Sequence, residues 1–593
     1  MSMNKNLMLK AGAGMTALLA ATAVNAKPDR PNIILILSDD MGYSDIGCFG
    51  GFIDTPNIDA LSTEGIKFTQ FYNCARSCPS RASLMTGLHP HQAGMGHMTS
   101  DKGVPGYRGD INTSCVTIAE VLGASGYETY AYGKWQLTKE KKENQSHHNW
   151  PLQRGFDHFY GSIGGAGSFY DPYCLCRDNT PITPDNDPKY RPETYYYTNA
   201  ITDNILMDLE AREGDDRPFF MYVAYTAAHW PMHALEEDIE PYKGKFDKGW
   251  DQLRKEKYQH MVEMGLIPED WKLTKRDGPS WEDARDKKFE ARCMEVYAAM
   301  VSNMDRNIGR LVADLEARGE LENTIILFLQ DNGACAENAG RRGTFDPEAY
   351  AQKNVGIEPM KPDELQTSNS PKKTRDGRLV KTGYGVLPGP ADTFVGYGKS
   401  WANLSNVPFR EYKHWVHEGG ISTPLLIRWD KGIGNHAGET RVQPGFLPDI
   451  MATLVEVSGA EYPQSFNGHE ITPCEGMSLV PVFNKDKVDY DRPLFFEHEG
   501  NRAMRAGKWK IVCKAQPGDI PVEKWELYDM ENDRTETRNL AVEHPEIVAA
   551  MVEEWNIFAE RSQVKPWPVD KNKDGNKGGN KADKKAKKKH NKN

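Results

Sequence analysis

Two pairs of neighbouring residues, Asp39-Asp40 and Asp331-Asn332, carry the side-chain oxygens that a hard divalent cation prefers. Ca²⁺ and Mg²⁺ are bound through carboxylate and amide oxygens, whereas zinc and copper prefer histidine and cysteine. Each pair follows a short apolar run that is typical of a buried strand. An aspartate in this place is also a common turn residue or helix cap, so either pair alone would indicate little. The two pairs together predict a Ca²⁺ or Mg²⁺ site.

Two further polar residues follow apolar runs in the same way. His229 comes after the run Phe219–Tyr225, and Lys134 comes after the shorter run Thr129–Tyr132. In open α/β sheets, ligands bind at the carboxyl ends of the strands. Because four polar positions in one chain share this placement, we expect their side chains to converge on one crevice.

The segment from Asn73 to Gly87 combines a serine with a predicted helix N-terminus. Pro79 suits the first helical position and Gly87 suits the end, so Ser77 is expected just outside the helix. The backbone amides at a helix N-terminus favour an anion, and Arg81, one turn further on, adds a fixed positive charge. A capped helix with one arginine is common, so the pattern by itself indicates an anion site without identifying the anion.

Histidines and cysteines offer rival sites. His89, His91 and His97 lie close together in the sequence, but their spacing matches no established zinc pattern. Substrate-pocket or structural roles are therefore the preferred interpretation of these histidines. The ten cysteines indicate no definite pairing, and Cys174 and Cys176 are too close to bridge each other easily.

The elements that must position these residues are those of an α/β fold. The strand candidates are Ile33–Leu37, Ile66–Tyr72, Phe219–Tyr225, Ile325–Leu329 and Leu425–Trp429. Helical stretches lie between them, and the clearest runs from Met294 to Leu315 and ends at Gly319. This alternation predicts a large mixed, mostly parallel sheet sandwiched by helices. After Asp491, short strands and a helix at 545–559 predict a smaller C-terminal α+β subdomain.

Composition and charge exclude several classes of protein. Of 593 residues, 39% are hydrophobic and 26% are charged, as in globular proteins rather than fibrous, disordered or multi-span membrane proteins. The net charge is −11, although the segment Lys571–Asn593 alone contains ten lysines and two aspartates. The rest of the chain is therefore strongly acidic, and no nucleic-acid partner is expected. The lysine-rich tail is expected to be disordered.

Residues 1–26 are typical of an export signal. Lys5 and Lys10 make its start positive, a weakly apolar run follows, and small residues precede Lys27. A buried N-terminal helix is the alternative interpretation, but the run is rich in Ala and Gly. No later apolar run reaches the ~18 residues of a membrane-spanning helix. We expect an exported protein, periplasmic or secreted, without stable membrane insertion.

The run Ser77-Cys-Pro-Ser-Arg81 followed by Thr86-Gly87 resembles the signature of the sulfatase family of the alkaline phosphatase superfamily. In that signature, Cys or Ser is followed by any residue, then Pro, Ser and Arg, with Thr-Gly further on. Other segments appear in the family's order, namely Pro31-Asn-Ile-Ile, Ser38–Asp45, Thr55–Leu61, Gly133-Lys134-Trp135, Ala228-His229 and Asp331-Asn332-Gly333. The stretch from Trp401 to Lys413, with Glu418-Gly-Gly, resembles the bacterial arylsulfatase branch. The resemblance covers essentially the whole mature chain.

The resemblance implies an alkaline phosphatase-like fold and the hydrolysis of sulfate esters, with a sulfated small molecule or carbohydrate as substrate. It implies that a maturation enzyme converts Ser77 to formylglycine, whose hydrated form attacks sulfur. The implied ligands of Ca²⁺ (or Mg²⁺) are Asp39, Asp40, Asp331, Asn332 and residue 77. Arg81, Lys134 and Lys413 would neutralise sulfate charge. His229, alone or together with Lys413, would assist the leaving alcohol, and Lys134, His229 and Lys413 would contact the substrate.

One position departs from the family pattern. The family usually reads Gly-Lys-Trp-His, whereas this chain has Gln136 in place of the histidine. Glutamine forms hydrogen bonds but cannot take up a proton at neutral pH. The change therefore bears on the second step or on the rate more than on the class of reaction.

Two alternatives to a sulfatase stay open from the sequence. One is a phosphodiester or phosphonate monoester hydrolase of the same superfamily, since sulfate and phosphoryl groups are both tetrahedral. The other is a secreted carbohydrate-binding homologue that has lost catalysis. The expected organisation of the chain is a signal peptide at 1–26, a sulfatase catalytic α/β domain at 27–490, a C-terminal subdomain of a small sheet and a helix at 491–568, and a disordered lysine-rich tail at 569–593.

Overall fold

An 11-stranded sheet forms the centre of the structure. The computed structural model describes residues 30–485, 492–515, 518 and 520–569, so the predicted export signal and the tail beyond residue 569 lie outside the described residues. The strands are β1 (Asn32–Ser38), β2 (Ile66–Tyr72), β3 (Glu128–Lys134), β4 (His158–Ser162), β5 (Leu175–Arg177), β6 (Thr180–Pro181), β7 (Phe219–Ala224), β8 (Thr324–Gln330), β9 (Ser422–Arg428), β10 (Thr440–Arg441) and β11 (Gly445–Phe446). The predicted large mixed, mostly parallel sheet is confirmed.

The sheet order explains why distant segments meet. The strands lie in the order β10-β2-β9-β8-β1-β7-β3-β4-β5-β6, and β11 also pairs with β2. The five central strands, from β8 to β4, are parallel to one another, whereas β9 is antiparallel to both β2 and β8. Ser38, the last residue of β1, is in register with Gln330, the last residue of β8. The residues that follow these two strands therefore leave the sheet side by side.

Helices cover both faces of the sheet. Their bounds are α1 (Pro56–Thr63), α2 (Ser77–Thr86), α3 (Ile118–Ala124), α4 (Tyr197–Ala211), α5 (Glu236–Ile239), α6 (Gly249–Glu263), α7 (Lys287–Ala317), α8 (Pro347–Lys353), α9 (Lys399–Ser405), α10 (Glu418–Ile421), α11 (Asp430–Ile433) and α12 (Pro448–Ser458). Because side chains alternate along a strand, Ile34 and Ile36 of β1 pack in the core with α4 and α7. Leu35 and Leu37 pack in the opposite core with α2, α3 and α12.

A small antiparallel sheet follows the large one. Its strands are β14 (Leu494–His498), β15 (Asn501–Ala506), β16 (Trp509–Cys513) and β17 (Glu526–Asp529), after a two-stranded ribbon, β12 (Ser465–Phe466) and β13 (His469–Glu470). Helix α13 (Pro545–Arg561) packs on one face through Trp555 and Phe558. The predicted C-terminal α+β subdomain is thus present. Its predicted boundary at 490/491 lies outside the described residues and stays a prediction.

A buried ion network joins the small sheet to the large domain. Lys510 of β16 contacts Glu418 Oε1 and Glu536 Oε1 at 2.8 Å each, and Arg534 Nε contacts Glu418 Oε2 at 2.8 Å. Burial by itself would raise the pKa of Glu418, but the charges of Lys510 and Arg534 lower it to about 2. Glu418 is the first residue of α10, so the network holds the subdomain beside the segment that carries Lys413.

In the part of the chain that the structure describes, no helix is a candidate for crossing a membrane. None of the helices there combines the length and the apolar character needed to cross a bilayer.

Candidate functional site

Ser77 lies at the N-terminus of helix α2, but one expectation about this helix is wrong. Ser77 is the first helical residue rather than lying outside the helix, and Pro79 is the third. The helix begins earlier because the amide of Ser80 donates to the carbonyl of Arg76 at 2.9 Å and closes a turn before the proline. Gly87 ends the helix at φ 70°, as expected. The Ser77 side chain remains at the positive end of the helix dipole.

The two predicted oxygen-donor pairs meet Ser77. The hydroxyl Oγ of Ser77 donates to Asn332 Oδ1 at 3.1 Å and lies 3.3 Å from Asp39 Oδ1. Asn332 Nδ2 donates to Asp40 Oδ1 at 2.7 Å, and the backbone amide of Asp40 donates to Asp331 Oδ1 at 3.3 Å. All five side chains are buried. Residues scattered from position 39 to position 332 thus form one connected cluster of oxygens.

Three buried cations surround this cluster. Arg81 Nη2 contacts Asp331 Oδ2 at 2.9 Å, and Lys134 Nζ contacts Asp39 Oδ2 at 2.5 Å. Lys134 is the last residue of β3, so the sheet brings it to the carboxyl edge as expected. The third cation is Lys413, whose Nζ contacts Asp40 Oδ2 at 2.8 Å.

The pKa values of two carboxylates in this cluster shift in opposite directions. Burial opposes the charge of Asp39, but Lys134 and the other nearby positive groups lower the pKa of this residue below its usual range. Burial and the charge of Asp39 raise the pKa of Asp331, since Arg81 offsets them only in part. The cluster can therefore accept additional positive charge, and its donors are the hard oxygens that Ca²⁺ or Mg²⁺ prefers. The residues present fit a divalent cation of this class.

His229 faces the same cluster from the end of β7. Its Nδ1 lies 2.6 Å from the carbonyl oxygen of Trp230, so Nδ1 carries the proton and donates it. Nε2 is then directed at Asp40 Oδ2, at 3.3 Å, and at Lys413 Nζ, at 3.4 Å. Burial lowers the pKa of His229, which favours the neutral ring.

The contacts of Gln136 do not indicate a role in the site. It lies two residues beyond Lys134, is buried and has φ 58°. Its Oε1 has no hydrogen-bond partner within the described part of the chain, and its Nε2 lies against Gly165, where a side chain would collide with it. No contact of Gln136 with Ser77 is seen, so its role stays a prediction.

The outer part of the site contains residues that sequence reasoning missed. Glu337 accepts a hydrogen bond from Trp230 Nε1 at 2.9 Å, pairs with Arg76 at 2.9 Å and lies 3.8 Å from Lys413 Nζ. Arg76 and Glu337 are partly exposed and form the rim above the buried cations. Arg76 directly precedes Ser77, a signal that could have identified it, but nothing in the sequence distinguishes Glu337.

The rival histidine set does not converge on one point. His91 Nε2 contacts Glu497 Oε2 at 2.6 Å, His97 Nε2 contacts Glu499 Oε1 at 2.6 Å, and the ring of His89 packs against Phe558. All three histidines therefore dock on the C-terminal subdomain.

Comparison with known proteins gives one consistent family. The profile described as "Sulfatase" matches residues 31–460, and the profile described as "N-sulphoglucosamine sulphohydrolase, C-terminal" matches residues 410–560. An uncharacterized sulfatase of Schizosaccharomyces pombe is 32% identical over 572 residues, covering 92% of this chain and 96% of that protein. An arylsulfatase of Klebsiella aerogenes is 31% identical over 493 residues, covering 81% of this chain and 97% of that protein.

The fold of a solved structure agrees with this similarity. The structure of BT4656 in complex with its substrate, D-glucosamine-2-N,6-O-disulfate, matches with a TM-score of 0.57 at 22% identity. The match covers 91% of this chain and 99% of that chain. At this identity the likeness concerns the fold alone.

Proposed function

This chain belongs to the sulfatase family and is a sulfuric ester hydrolase, and we propose that Ser77, in its formylglycine form, reacts with the sulfate group of a sulfated carbohydrate. The observation that carries the proposal is the contact of Ser77 with Asn332 and Asp39 inside a ring of buried cations. A tetrahedral anion at this point would meet positive charge on several sides. The hydrated aldehyde would supply two hydroxyls, one to attack sulfur and one to expel the sulfate afterwards, whereas an unmodified serine has only the first.

We assign the divalent cation to Asp39, Asp40, Asp331, Asn332 and residue 77. Their oxygens form one connected group, and the raised pKa of Asp331 indicates room for more positive charge. Ca²⁺ is the proposed ion, with Mg²⁺ as the alternative. When bound, it would polarise residue 77 and a sulfate oxygen.

Arg81, Lys134 and Lys413 are proposed to stabilise the charge that develops on the sulfate oxygens. Each is buried and held by a carboxylate, so its position is fixed before substrate arrives. Donors that need not reorganise contribute most to electrostatic catalysis. Lys134 and Lys413 are proposed to touch the sulfate directly, whereas Arg81 also fixes Asp331.

His229 is proposed to deliver a proton to the leaving alcohol. Its Nδ1–H is held by the carbonyl of Trp230, which directs Nε2 toward Lys413 and the centre of the site. Burial lowers the pKa of the ring and favours the neutral form, so the proton that Nε2 passes to the alcohol would come from Lys413 Nζ, 3.4 Å away. Lys413 is the second proton carrier, since its Nζ lies within reach of the same nitrogen.

The remaining parts of the proposal concern maturation, location and substrate. We propose that Ser77 is a Ser-type site for a formylglycine-generating enzyme, that the chain is of the bacterial arylsulfatase branch and that it is exported. A sulfated sugar is the proposed substrate, in line with the sulfated glucosamine named for the solved structure of the same fold.

Two measurements test the proposal. The mass of the tryptic peptide that contains Ser77, from protein made in a host that matures Ser-type sites, should be lower than the serine form by two hydrogens. Parallel assays should show a higher kcat/KM on an aryl sulfate than on an aryl phosphodiester. A fully active protein whose Ser77 peptide is unmodified would overturn the proposed nucleophile, and a preference for the phosphodiester would overturn the substrate class.

A further inference from the structure

A second cluster of metal-binding side chains lies at the junction between the two parts of the molecule. His498 is the last residue of β14, Glu499 follows it in the turn to β15, and His414 comes directly after Lys413 in the large domain. One ligand atom from each lies within 4.8 Å of the other two. His414 Nδ1 is 3.1 Å from Glu499 Oε2, and His498 Nε2 is 4.0 Å from Glu499 Oε1.

A further histidine approaches the same carboxylate. His97 Nε2 lies 2.6 Å from Glu499 Oε1, and the ring of His97 is nearly parallel to that of His498 at 5.8 Å. Glu499 is therefore surrounded by three imidazoles from three separate segments. A simple ion pair with one carboxylate would need only one of these imidazoles.

His498 lacks the partners that a buried imidazole requires. It is fully buried, and neither Nδ1 nor Nε2 has a hydrogen-bond partner among the residues described. Leaving buried polar nitrogens unpaired is unfavourable, and a bound ion is one of the features that accounts for such groups in native proteins. The unpartnered ring faces Glu499 at the centre of the cluster.

We propose that His414, His498 and Glu499 bind a transition metal ion of the zinc class, with His97 orienting Glu499 through the 2.6 Å contact of its Nε2 with Oε1. Imidazole nitrogens with one carboxylate suit Zn²⁺, in contrast to the oxygens around Ser77. Ligand atoms at ~2.0–2.1 Å from one zinc ion lie at most ~4 Å apart. Each histidine nitrogen lies within this limit of one oxygen of the Glu499 carboxylate, His414 Nδ1 of Oε2 and His498 Nε2 of Oε1.

The proposed ion would clamp the subdomain to the wall of the catalytic site. The amide of His414 donates to the carbonyl of Ala75 at 2.7 Å, two residues before Ser77, and the His414 carbonyl accepts from Asn501 of β15 at 3.4 Å. A metal on His414 and Glu499 would strengthen this link and steady Lys413. The inference does not depend on the proposed calcium site.

Zinc binding to the full-length chain tests the proposal, with calcium in excess to occupy hard-oxygen sites. Equilibrium dialysis followed by elemental analysis should find one zinc ion per wild-type chain. Co²⁺ as a probe should produce visible absorption bands of a histidine-bound ion. His414→Asn and Glu499→Gln should each weaken zinc affinity at least about tenfold.

Two control variants distinguish this site from others. His436→Asn removes an exposed histidine that pairs with Glu439 and should bind zinc as the wild type does. Asp331→Asn should lose calcium but keep zinc, so failure of the calcium site is separable. His414 and Glu499 are partly exposed, and circular dichroism will verify that both variants fold. Equal zinc affinity in the wild type, His414→Asn and Glu499→Gln would overturn the proposal, as would the absence of bound zinc in the folded wild type.

Discussion

Ser77 Oγ donates a hydrogen bond of 3.1 Å to Asn332 Oδ1 across a separation of 255 residues in the sequence. The contact arises because β1 and β8 are parallel neighbours and helix α2 points its N-terminus at their carboxyl ends. The nucleophile, the oxygen ligands and the cations therefore belong to one edge of one sheet. Their mutual distances are set by the sheet, so replacing one of these side chains should leave the positions of the others unchanged.

Replacing the proposed nucleophile should abolish turnover without unfolding the protein. Ser77→Ala should lower kcat for aryl sulfate hydrolysis by at least about 10³-fold, because no aldehyde can form at position 77. The matched variant is Ser77→Cys, since the family signature accepts either residue. In a host that converts Cys-type sites it should regain activity together with the modified peptide mass. Residual turnover of Ser77→Ala near the wild-type rate would refute the assignment.

Removing divalent cations should lower both activity and thermal stability. A ligand that binds only the folded state at 100 times its dissociation constant adds about 2.7 kcal/mol to the free energy of unfolding. Calorimetry with a chelator should show a lower Tm that calcium restores. Asp331→Asn should make the Tm insensitive to calcium. A Tm that is unchanged by the chelator in the wild type would contradict the proposed ion.

Restoring the usual histidine at position 136 should act on turnover more than on affinity. Gln136→His introduces a group that can exchange a proton between pH 5 and 8, where glutamine cannot. We expect kcat to change severalfold, with a new inflection in its pH profile and little change in KM. Gln136→Asn, which keeps an amide, is the control. Equal changes in kcat and KM without a pH effect would argue against a role in the reaction.

The buried network around Glu418 should contribute to stability in a pH-dependent manner. Glu418→Gln leaves Lys510 and Arg534 buried with too little negative charge, so we expect the free energy of unfolding to fall by about 3–5 kcal/mol at pH 7. The pKa of Glu418 is lowered to about 2 in the folded state. Its contribution is thus complete above its ordinary pKa of 4.5 and is lost as the pH falls toward 2.

Urea unfolding of Glu418→Gln and wild type from pH 7 down to pH 3 measures this contribution. The difference between the two proteins should shrink below about pH 4.5. The control is Glu543→Gln, which removes one partner of an exposed pair with Arg538 and should cost at most about 1 kcal/mol. A difference that grows on acidification would have the wrong sign for the network.

Local patterns in the sequence were sufficient for the fold class and for most of the candidate site. Apolar runs identified β1, β7 and β8, and the rule that ligands bind at strand ends brought Asp39, Asp331 and His229 together. These inferences succeed because strand formation and side-chain chemistry are properties of short segments. The start of α2 was misjudged, since a backbone hydrogen bond to Arg76 outweighed the preference of proline for the first helical position.

Tertiary structure alone decided which distant polar groups become partners. Glu337 at the rim, the buried pairing of Glu418 with Lys510, and the group of His414, His498 and Glu499 have no sequence signal. Each depends on how the C-terminal subdomain or a long loop packs against the large domain. The interaction of a charge or an imidazole with its partner depends on the distance between them in space. In a chain of 593 residues, packing sets that distance, and spacing along the sequence does not.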